Sequence, residues 1–333
     1  MTLLPVITDT AWHIVDKSKN KNVSKLNIIT TFVPAKGSKA VKHKSDEVDD
    51  NLIVNKKTKN SLSSDLNSNS PIGLEWNNQN WGCAYDSLFV ILYDIWKQNP
   101  NEWTNNFKNI NRYMQVLAYR FQEINEGNVS LENIRDDIRH ELHNFDPNKF
   151  PIGSNSTSVA DLCITLLQSI NENAISQVYC TECNYLGREY ADQLGYIFNL
   201  EKSKASSTQK WLNNLKVPCR QRCNECFYKL THQIDYKEVP EILVLEYSRT
   251  NIKSSHRIKI KIQDEYKVLF LRGIIYHGNN HFCSRIISID GTIWYNDGIT
   301  TGNNSIEDGH LSTTSYEQLK TYNGKILVLA IYA

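Results

Sequence analysis

Two Cys-x-x-Cys pairs constrain the fold of this chain more than any other feature of its sequence. Cys180 and Cys183 form the first pair, Cys223 and Cys226 form the second, and residues 184–222 separate the two. Four thiolates in two such pairs are the ligand set of a tetrahedral zinc ribbon, in which the metal joins two β-hairpin tips. Protein ligands fill all four positions of such a site. The sequence therefore predicts one structural Zn²⁺ bound by these four cysteines.

Cys219 is a competing ligand for the same metal. Only three residues separate it from Cys223, so it could replace Cys226 in the zinc shell. We favour Cys226, because the two-residue spacing fits a tight knuckle turn. The alternative to a metal site is a set of free thiols or a redox pair.

Composition and the N-terminal sequence narrow the class of protein. The 333 residues carry a net charge of +1, and no apolar run approaches the length that a bilayer requires. The start, MTLLPVITDTAW, has no basic region ahead of a long apolar core, so we expect no secretory signal. Together with eight cysteines, this predicts an intracellular protein of the cytoplasm or nucleus without a membrane partner. The nearly neutral charge also disfavours a dedicated nucleic-acid partner.

The first seventy residues differ from the rest of the chain. They hold eleven lysines and seven acidic residues, a net charge of +4, whereas the remainder carries −3. A basic stretch rich in serine, asparagine and lysine predicts a flexible tail over residues 1–70, ahead of a folded domain at 71–333. Short apolar runs at 26–33 and 51–54 leave open that parts of the tail pair with the domain as strands. A nuclear address or a nucleic-acid contact through this tail is also left open.

Residues 73–96, GLEWNNQNWGCAYDSLFVILYDIW, predict a polar turn that delivers Cys83 to the start of a buried helix. Unpaired N–H groups and the helix dipole favour a thiolate at such a position. A cysteine there can equally be a small core residue. The apolar residues that recur at helical spacing are Leu88, Phe89, Ile91, Leu92, Ile95 and Trp96.

The remaining sequence divides into a helical half and a strand-rich half. Apolar spacing predicts helices over 102–124, 131–142 and 159–170, the last of them capped by Ser158. After Ile175 the sequence pattern changes to short runs rich in Val, Ile, Tyr and Leu. Turn residues separate these runs, which predicts antiparallel sheet. Helices followed by strands indicate an α+β domain.

The stretch 266–298 supplies candidate partners for a catalytic cysteine. It contains His277, His281 and Asp297 on predicted strands or strand ends. A cysteine hydrolase needs a base for the thiol proton and a third group that orients this base, so Cys83, one histidine and Asp297 would suffice. Spacing alone does not choose between the two histidines, and a histidine between strands is often only a surface residue.

Several blocks of the sequence, in the same order, resemble the ubiquitin-specific proteases, a family of papain-like cysteine proteases. The likeness extends from about Gly73 to the C-terminus and includes the family's cysteine box, its histidine box and its zinc-binding fingers. The matching blocks outside the cysteine pairs are GLEWNNQNWGCAYDSLF at 73–89, DLCITLL at 161–167, VPEILVLEYSR at 239–249, GIIYHGNNHF at 273–282 and WYND at 294–297.

The resemblance implies a role for each matching residue. Cys83 is similar to the family's nucleophile, His281 to its base and Asp297 to the residue that orients the base. Asn78, five residues before Cys83, matches the side chain that helps to form the oxyanion hole. His277 matches an upstream histidine that is not the base. The implied fold is a papain-like α+β domain with a helical thumb, an antiparallel β palm and zinc-ribbon fingers at about 175–245.

The chain is identified as a divergent member of the family. Ala84 follows the cysteine where an aromatic residue is usual, and Ser156–Val159 stands where the family carries Gln-Gln-Asp-Ala. The resemblance implies thiol-dependent cleavage of the amide or isopeptide bond after the C-terminus of ubiquitin or a ubiquitin-like protein, with conjugates of these proteins as partners. Two alternatives remain: a catalytically inactive module that binds ubiquitin-like proteins, and a cysteine protease for an unrelated polypeptide, such as one encoded by a mobile element.

Overall fold

A computed structural model of the chain describes residues 70–192, 197–199, 205–247 and 251–333. The predicted flexible tail lies outside these residues, except for its last position, and so do the two short apolar runs within it. Among the described residues, no helix is both long and apolar enough to cross a bilayer.

The described chain has a helical half before the first strand, as the sequence predicts, but with five helices where the sequence predicts four. The helices are α1 Cys83–Gln98, α2 Pro100–Ile110, α3 Arg112–Asn125, α4 Leu131–Phe145, α5 Val159–Leu167, α6 Thr208–Leu212 and α7 Tyr316–Lys320. The strands are β1 Ala174–Tyr179, β2 Leu186–Asp192, β3 Ile197–Asn199, β4 Lys216–Arg222, β5 Lys229–Tyr236, β6 Leu243–Glu246, β7 Arg257–Ile262, β8 Glu265–Gly278, β9 His281–Ile287, β10 Thr292–Asn296, β11 Ile306–His310, β12 Thr321–Tyr322 and β13 Lys325–Tyr332.

Helix α1 is the central element of the helical half. Its residues from Cys83 to Trp96 are all buried, because α1 packs between the other helices and the large sheet. A helix that is buried on all sides must be mostly apolar, and the two charged residues buried on α1, Asp86 and Asp94, are each paired with an arginine. Gly273 on β8 permits this close packing, since a Cβ at that position would lie 2.5 Å from the Ile91 side chain.

The predicted helix over 102–124 is two helices in the structure. α2 ends at Ile110, and Asn111 adopts an extended conformation with φ −169° and ψ 179°. The Asn111 side chain accepts hydrogen bonds from the amides of Tyr113 and Met114, which starts α3 as an N-cap. Its amide group also donates to the carbonyls of Leu166 and Gln168. The apolar spacing continues across Asn111, so the sequence pattern gives no sign of this break.

The large sheet, which we call the palm, carries α1 on one of its faces. Its strand order is β11-β10-β9-β8-β13-β6-β3, with β7 paired to β8 and β12 paired to β13. All these pairs are antiparallel except β3 with β6. Apolar side chains from opposite faces of the palm form two separate cores, one against α1–α5 and one against α6 and the base of the small sheet.

The small sheet, which we call the fingers, projects from the palm. Its strand order is β2-β1-β5-β4, and each pair is antiparallel. Each Cys-x-x-Cys turn lies at its far end, after β1 and after β4 respectively. The fingers therefore present both cysteine pairs at one tip.

Candidate active site and metal centre

Cys83 is the first residue of α1 and lies at the edge of the palm. Gly82 precedes it as the N-cap, and no side chain caps the helix. Cys83 is only 5% exposed. Burial raises the pKa of its thiol to about 11, although the backbone N–H of Phe282 opposes the shift. The helix start therefore does not produce the low thiol pKa that the sequence suggests, because desolvation of the charged sulfur outweighs it.

The palm brings His281 and Asp297 together. The Nε2 atom of His281 lies 2.8 Å from Oδ1 of Asp297, and both side chains are buried. The imidazole of His281 also packs edge-on against Trp76, with ring centroids 6.4 Å apart. Since Nε2 contacts the aspartate, Nδ1 is the nitrogen left to face a second partner.

A tight hairpin fixes the position of His281. Gly278 and His281 are cross-strand partners, and only Asn279 and Asn280 connect β8 to β9. These two asparagines have φ values of 54° and 56°, the left-handed conformation that a two-residue type I′ turn requires. His281 is therefore the first residue of β9, and the next residue, Phe282, places its backbone N–H near the Cys83 sulfur.

His277 is placed differently from His281. It lies on β8, opposite Phe282, and the two rings pack with centroids 4.5 Å apart. The half-buried His277 has a lowered pKa, caused by burial and then by the nearby His281. Spacing in the sequence leaves the two histidines equivalent, whereas the geometry joins only His281 to Asp297.

Asp297 has more partners than the sequence indicates. Its Oδ1 also accepts a hydrogen bond from the Ile299 amide at 3.0 Å, and its Oδ2 contacts Tyr295 Oη at 2.9 Å and Lys325 Nζ at 3.3 Å. Burial by itself would raise the pKa of Asp297. The hydrogen bond and charge of His281, the Ile299 amide and Tyr295 outweigh burial and hold that pKa well below its usual value.

Sequence reasoning missed both Tyr295 and Lys325. Tyr295 is two residues before Asp297, and side chains at this spacing share one face of a strand, so the pattern WYND contained a usable signal. Lys325 begins β13, and its contact depends on how β13 pairs with β8. No local pattern reports that pairing.

Asn78 lies in an exposed turn before Cys83. Its carbonyl accepts a hydrogen bond from Trp81 Nε1 at 3.2 Å, and its side chain makes no hydrogen bond within the described part of the chain. The role of Asn78 in an oxyanion hole therefore stays a prediction.

A neighbouring asparagine ties this turn to the rest of the domain. The Asn80 side chain accepts from the Gly153 amide at 2.9 Å, and the Trp81 amide donates to the Gly153 carbonyl at 3.0 Å. The buried Arg139 donates to the same carbonyl at 3.3 Å. The turn before Cys83 is thus attached to the loop before α5, which neither segment's sequence indicates.

A buried ion pair supports α1 one turn below Cys83. Asp86 Oδ1 lies 2.9 Å from Arg135 Nη1, and each side chain is only 5% exposed. Arg135 also donates to the Glu75 carbonyl at 3.1 Å, which holds the chain that leads into the turn. Losing either partner would leave an uncompensated buried charge, so the pair fixes α4 against α1.

The fingers bring the four predicted metal ligands together. The sulfur atoms of Cys180, Cys183, Cys223 and Cys226 all lie within 4.8 Å of one another. Cys180 and Cys226 sulfurs are 3.4 Å apart, and Cys183 and Cys223 sulfurs are 3.5 Å apart. Ligands at 2.3 Å from a tetrahedral zinc would be about 3.8 Å apart, so the cluster fits such an ion. The side chain of Cys219 lies outside what the structure describes.

The two turns that carry these cysteines have the same local geometry. Asn184 and Phe227, each directly after the second cysteine, have φ values of 56° and 60°. The Cys180 amide donates to the Tyr185 carbonyl, and the Cys223 amide donates to the Tyr228 carbonyl. Each turn thus folds back tightly enough to aim both of its thiols at one point. Four thiols so arranged could hold a metal ion.

A cysteine-headed helix packed against an antiparallel sheet with a histidine–aspartate pair is the architecture of the papain-like class. No protein-family model matches the chain, and no curated protein matches it in sequence. A solved structure, the SAGA DUB module Ubp8/Sgf11/Sus1/Sgf73 bound to monoubiquitin, matches with a TM-score of 0.51 and 15% identity, over 79% of this chain and 68% of that one. A yeast SAGA DUB module with a mutant Sgf73 has a TM-score of 0.46 and 13% identity over the same shares.

Ubp8 is a ubiquitin-specific protease, and this chain is similar to it in fold. The sequence resemblance to that family is therefore confirmed at the level of the fold. The predicted fold class, an α+β domain with helical thumb, antiparallel palm and fingers that carry four cysteines, is confirmed as well.

Proposed function

We propose that the chain is a thiol-dependent hydrolase that cleaves the amide or isopeptide bond after the C-terminus of ubiquitin or a ubiquitin-like protein. The hydrogen bond between His281 and Asp297, beside the head of α1 that carries Cys83, is the observation on which this rests. The fold is shared with Ubp8, which was solved in a complex with monoubiquitin. The intracellular location expected from the sequence agrees with such substrates.

In this proposal Cys83, His281 and Asp297 act as a triad. The Cys83 sulfur attacks the carbonyl carbon while His281 takes the thiol proton and then passes it to the leaving amine, so that the C–N bond breaks and a thioester forms. Water, deprotonated by His281, then attacks the thioester and releases the carboxylate product and the thiol. Asp297 holds the imidazole in the tautomer that this transfer needs.

Asn78 completes the proposed site by donating to the oxyanion. A substrate that enters beside Cys83 would have to draw the exposed Asn78 turn inward, where its amide could stabilise the developing negative charge. The attachment of Asn80 and Trp81 to Gly153 holds the end of that turn nearest Cys83, and Asn78 lies exposed just ahead of it. Catalytic hydrogen bonds are often absent before substrate binds, which agrees with the exposed position of Asn78.

The raised pKa of Cys83 determines how the first step begins. A thiol with a pKa of about 11 is protonated at neutral pH. Proton transfer to His281 therefore accompanies attack on the substrate, and a stable thiolate–imidazolium pair does not precede it. This differs from a site in which the helix start alone makes the thiolate.

Zinc is the proposed resident metal of the fingers, bound by Cys180, Cys183, Cys223 and Cys226. The closed four-thiol shell matches zinc and leaves no position for a substrate. Zinc would join the two turns and stabilise the tip of the fingers. In this proposal the zinc takes no part in the reaction, which Cys83, His281 and Asp297 carry out at the palm.

A second candidate function is a catalytically inactive module that binds ubiquitin-like proteins. The observation that favours it is the burial of Cys83, since a protonated and 5% exposed thiol is a poor nucleophile. The two candidates share a binding surface and differ only in turnover. A panel of ubiquitin-like proteins with an electrophile at the C-terminus separates them.

The experiment incubates the full chain with each electrophilic probe and follows adduct formation by intact mass. A triad enzyme forms a covalent adduct at Cys83 with one of the probes, and Cys83→Ala forms none. Cys163→Ala, which removes another buried cysteine, is the matched control and should react like wild type. Binding of a probe without any adduct would support the inactive module. Neither binding nor adduct with any probe would direct the search to an unrelated polypeptide substrate.

A further inference from the structure

The carboxylate of Asp297 is held by two cation-capable groups at once. His281 contacts one oxygen, whereas Lys325 Nζ and the Tyr295 hydroxyl contact the other. The Lys325 side chain is only 12% exposed, and the Asp297 side chain is 3% exposed. An ammonium and a carboxylate this well shielded from water interact more strongly than a surface ion pair.

Lys325 has no other acidic partner within the described part of the chain. It begins β13, whose second residue, Ile326, lies opposite His277 on β8. A Cβ on Gly278 would lie 3.0 Å from Lys325, so the hairpin that presents His281 packs directly against the stem of this lysine. The position of Lys325 is therefore fixed by the strands that also fix His281 and Asp297.

We propose that Lys325 is a positioning residue that serves as the permanent countercharge of Asp297. The inference rests on the proposed triad, which it deepens. Lys325 and the Tyr295 hydroxyl hold one oxygen of the carboxylate, and this orients the other oxygen toward His281. Because Lys325 balances part of its charge, Asp297 acts on His281 through the hydrogen bond to Nε2.

The surrounding groups leave Lys325 as the fixed cation in contact with Asp297. Asp86 on α1 is paired with Arg135, and its charge acts on Cys83, whose pKa it raises. The neutral Tyr295 hydroxyl adds a hydrogen bond and no charge. The titratable and charged groups that face the His281–Asp297 pair are Cys83 and Asp86 of α1, His277 of β8, Cys283 of β9, Tyr295 of β10 and Lys325 of β13.

Removing the Lys325 ammonium should make the Cys83 thiol more reactive, whereas general damage to the fold would not act on this thiol alone. Without Lys325, the charge of Asp297 is available to His281 alone, so the imidazolium becomes more favourable. Cys83 can then pass its proton to His281 in the resting protein. The fraction of thiolate at neutral pH rises, and the variant's thiol becomes more reactive than that of wild type.

The test measures iodoacetamide labelling of Cys83 at pH 7 by peptide mass spectrometry in wild type and Lys325→Met. We expect labelling to be faster by roughly tenfold in Lys325→Met, as expected for one charge a few ångströms away in a partly screened site. Lys325→Arg keeps the charge and should label like wild type. Lys320→Met is the matched control, because within the described ranges the Lys320 ammonium donates a hydrogen bond to Asn251 and forms no ion pair. The buried Cys163 reports local unfolding and should stay unlabelled in every variant.

Labelling in Lys325→Met that is unchanged or slower would overturn the inference, as would equal acceleration in Lys325→Arg. Acceleration at Cys163 as well as Cys83 would show loosened packing and would likewise count against it. If Lys325→Met does not fold, Lys325→Gln carries the same expectation. Since labelling needs no substrate, it can succeed even when every ubiquitin-like probe fails. Probes that react while labelling stays unchanged would leave the triad standing and remove only the role of Lys325.

Discussion

Cysteine occupies opposite environments at the two ends of this molecule. At the tip of the fingers, four thiols from two tight turns point at one another, and Cys183 is exposed. At the head of α1, a single thiol is buried, and burial raises its pKa to about 11. Its partners, His281 and Asp297, come from strands about two hundred residues further along the chain.

The comparison teaches that a thiol's chemistry depends on what compensates its charge. A metal ion can stabilise four thiolates together, so the finger tip needs only local turns to create its site. In the proposed mechanism, the Cys83 thiolate instead obtains its compensation from His281 at the moment of attack. Under that proposal, the palm strands that carry His281 and Asp297 must be folded before Cys83 can act.

Cys83→Ala should reduce turnover more than any other variant. It is the most direct test of the difference between the Cys83 site and the finger tip. We expect loss of all turnover of a ubiquitin-type substrate, because no other group can form the thioester. Binding of the substrate should persist, since the side chain is small. Cys283→Ala, which changes a buried cysteine two residues after His281, provides the matched control for packing. Turnover that survives in Cys83→Ala would assign the chemistry to another residue.

Asp297→Asn tests whether Cys83 depends on the palm. We expect kcat to fall roughly a thousandfold, because the amide can hold His281 in the wrong tautomer. KM should change little. Asp264→Asn, an exposed turn position, is the control and should behave like wild type. Full activity in Asp297→Asn would mean that Cys83 is activated without its distant partners.

Asn78→Ala tests whether the turn before α1 also contributes to the chemistry at Cys83. We expect kcat to fall by roughly a hundredfold with KM unchanged if Asn78 donates to the oxyanion. Steady-state kinetics of the pure variant gives both constants. Asn77→Ala, which changes another exposed residue of the turn, is the control. Equal kcat values for wild type and Asn78→Ala would leave Asn78 as a solvated turn residue.

Cys226→Ser addresses the finger tip and should affect catalysis least. We expect metal analysis to find one zinc in wild type and little in the variant, with a lower melting temperature from the loosened fingers. The variant's kcat should fall much less than that of Asn78→Ala, because the finger tip has a small apolar cluster of its own, apart from the core that contains Cys83. Cys219→Ser is the matched control. If zinc were retained in Cys226→Ser but lost in Cys219→Ser, Cys219 and not Cys226 would be the fourth zinc ligand.

The smallest expected effect is a pH dependence of stability at Asp297. Its pKa in the folded protein is lowered, since hydrogen bonds and charge from its partners outweigh the opposing effect of burial. A lowered pKa stabilises the fold above the unfolded value of 3.8, and this contribution is lost as the pH falls through the folded value. The difference in free energy of unfolding between wild type and Asp297→Asn should therefore shrink below about pH 4 in urea titrations. A difference independent of pH would show that the ionised form gains nothing from folding.

Much of the fold was predictable because its signals are local. Apolar spacing located α1 and α5, and short runs rich in apolar and β-branched residues located β6 to β10 and β13 but not β11 or β12. The break at Asn111 was not predictable from spacing, since its cap depends on carbonyls at Leu166 and Gln168. Local patterns report what neighbouring residues do and say nothing of such distant partners.

The candidate site was predictable to the extent that its residues form recognisable blocks. The cysteine pairs and Cys83 stand in short motifs, and resemblance chose His281 over His277 where spacing did not. Lys325 contacts Asp297 only because β13 inserts beside β8, and the attachment of Asn80 to Gly153 spans separate loops. The raised pKa of Cys83 was also missed, since burial depends on tertiary packing.

The position of β13 has a consequence for the order in which the molecule assembles. This strand follows all other described strands in the chain, yet it lies between β8 and β6 inside the palm. As the ribosome delivers the chain, β8 and β6 would wait with unpaired edges that invite aggregation. Lys325 arrives with the same strand. A nascent chain that stalls before β13 is made would therefore expose the unpaired edges of β8 and β6 to chaperones. It would also still lack Lys325, the countercharge of Asp297.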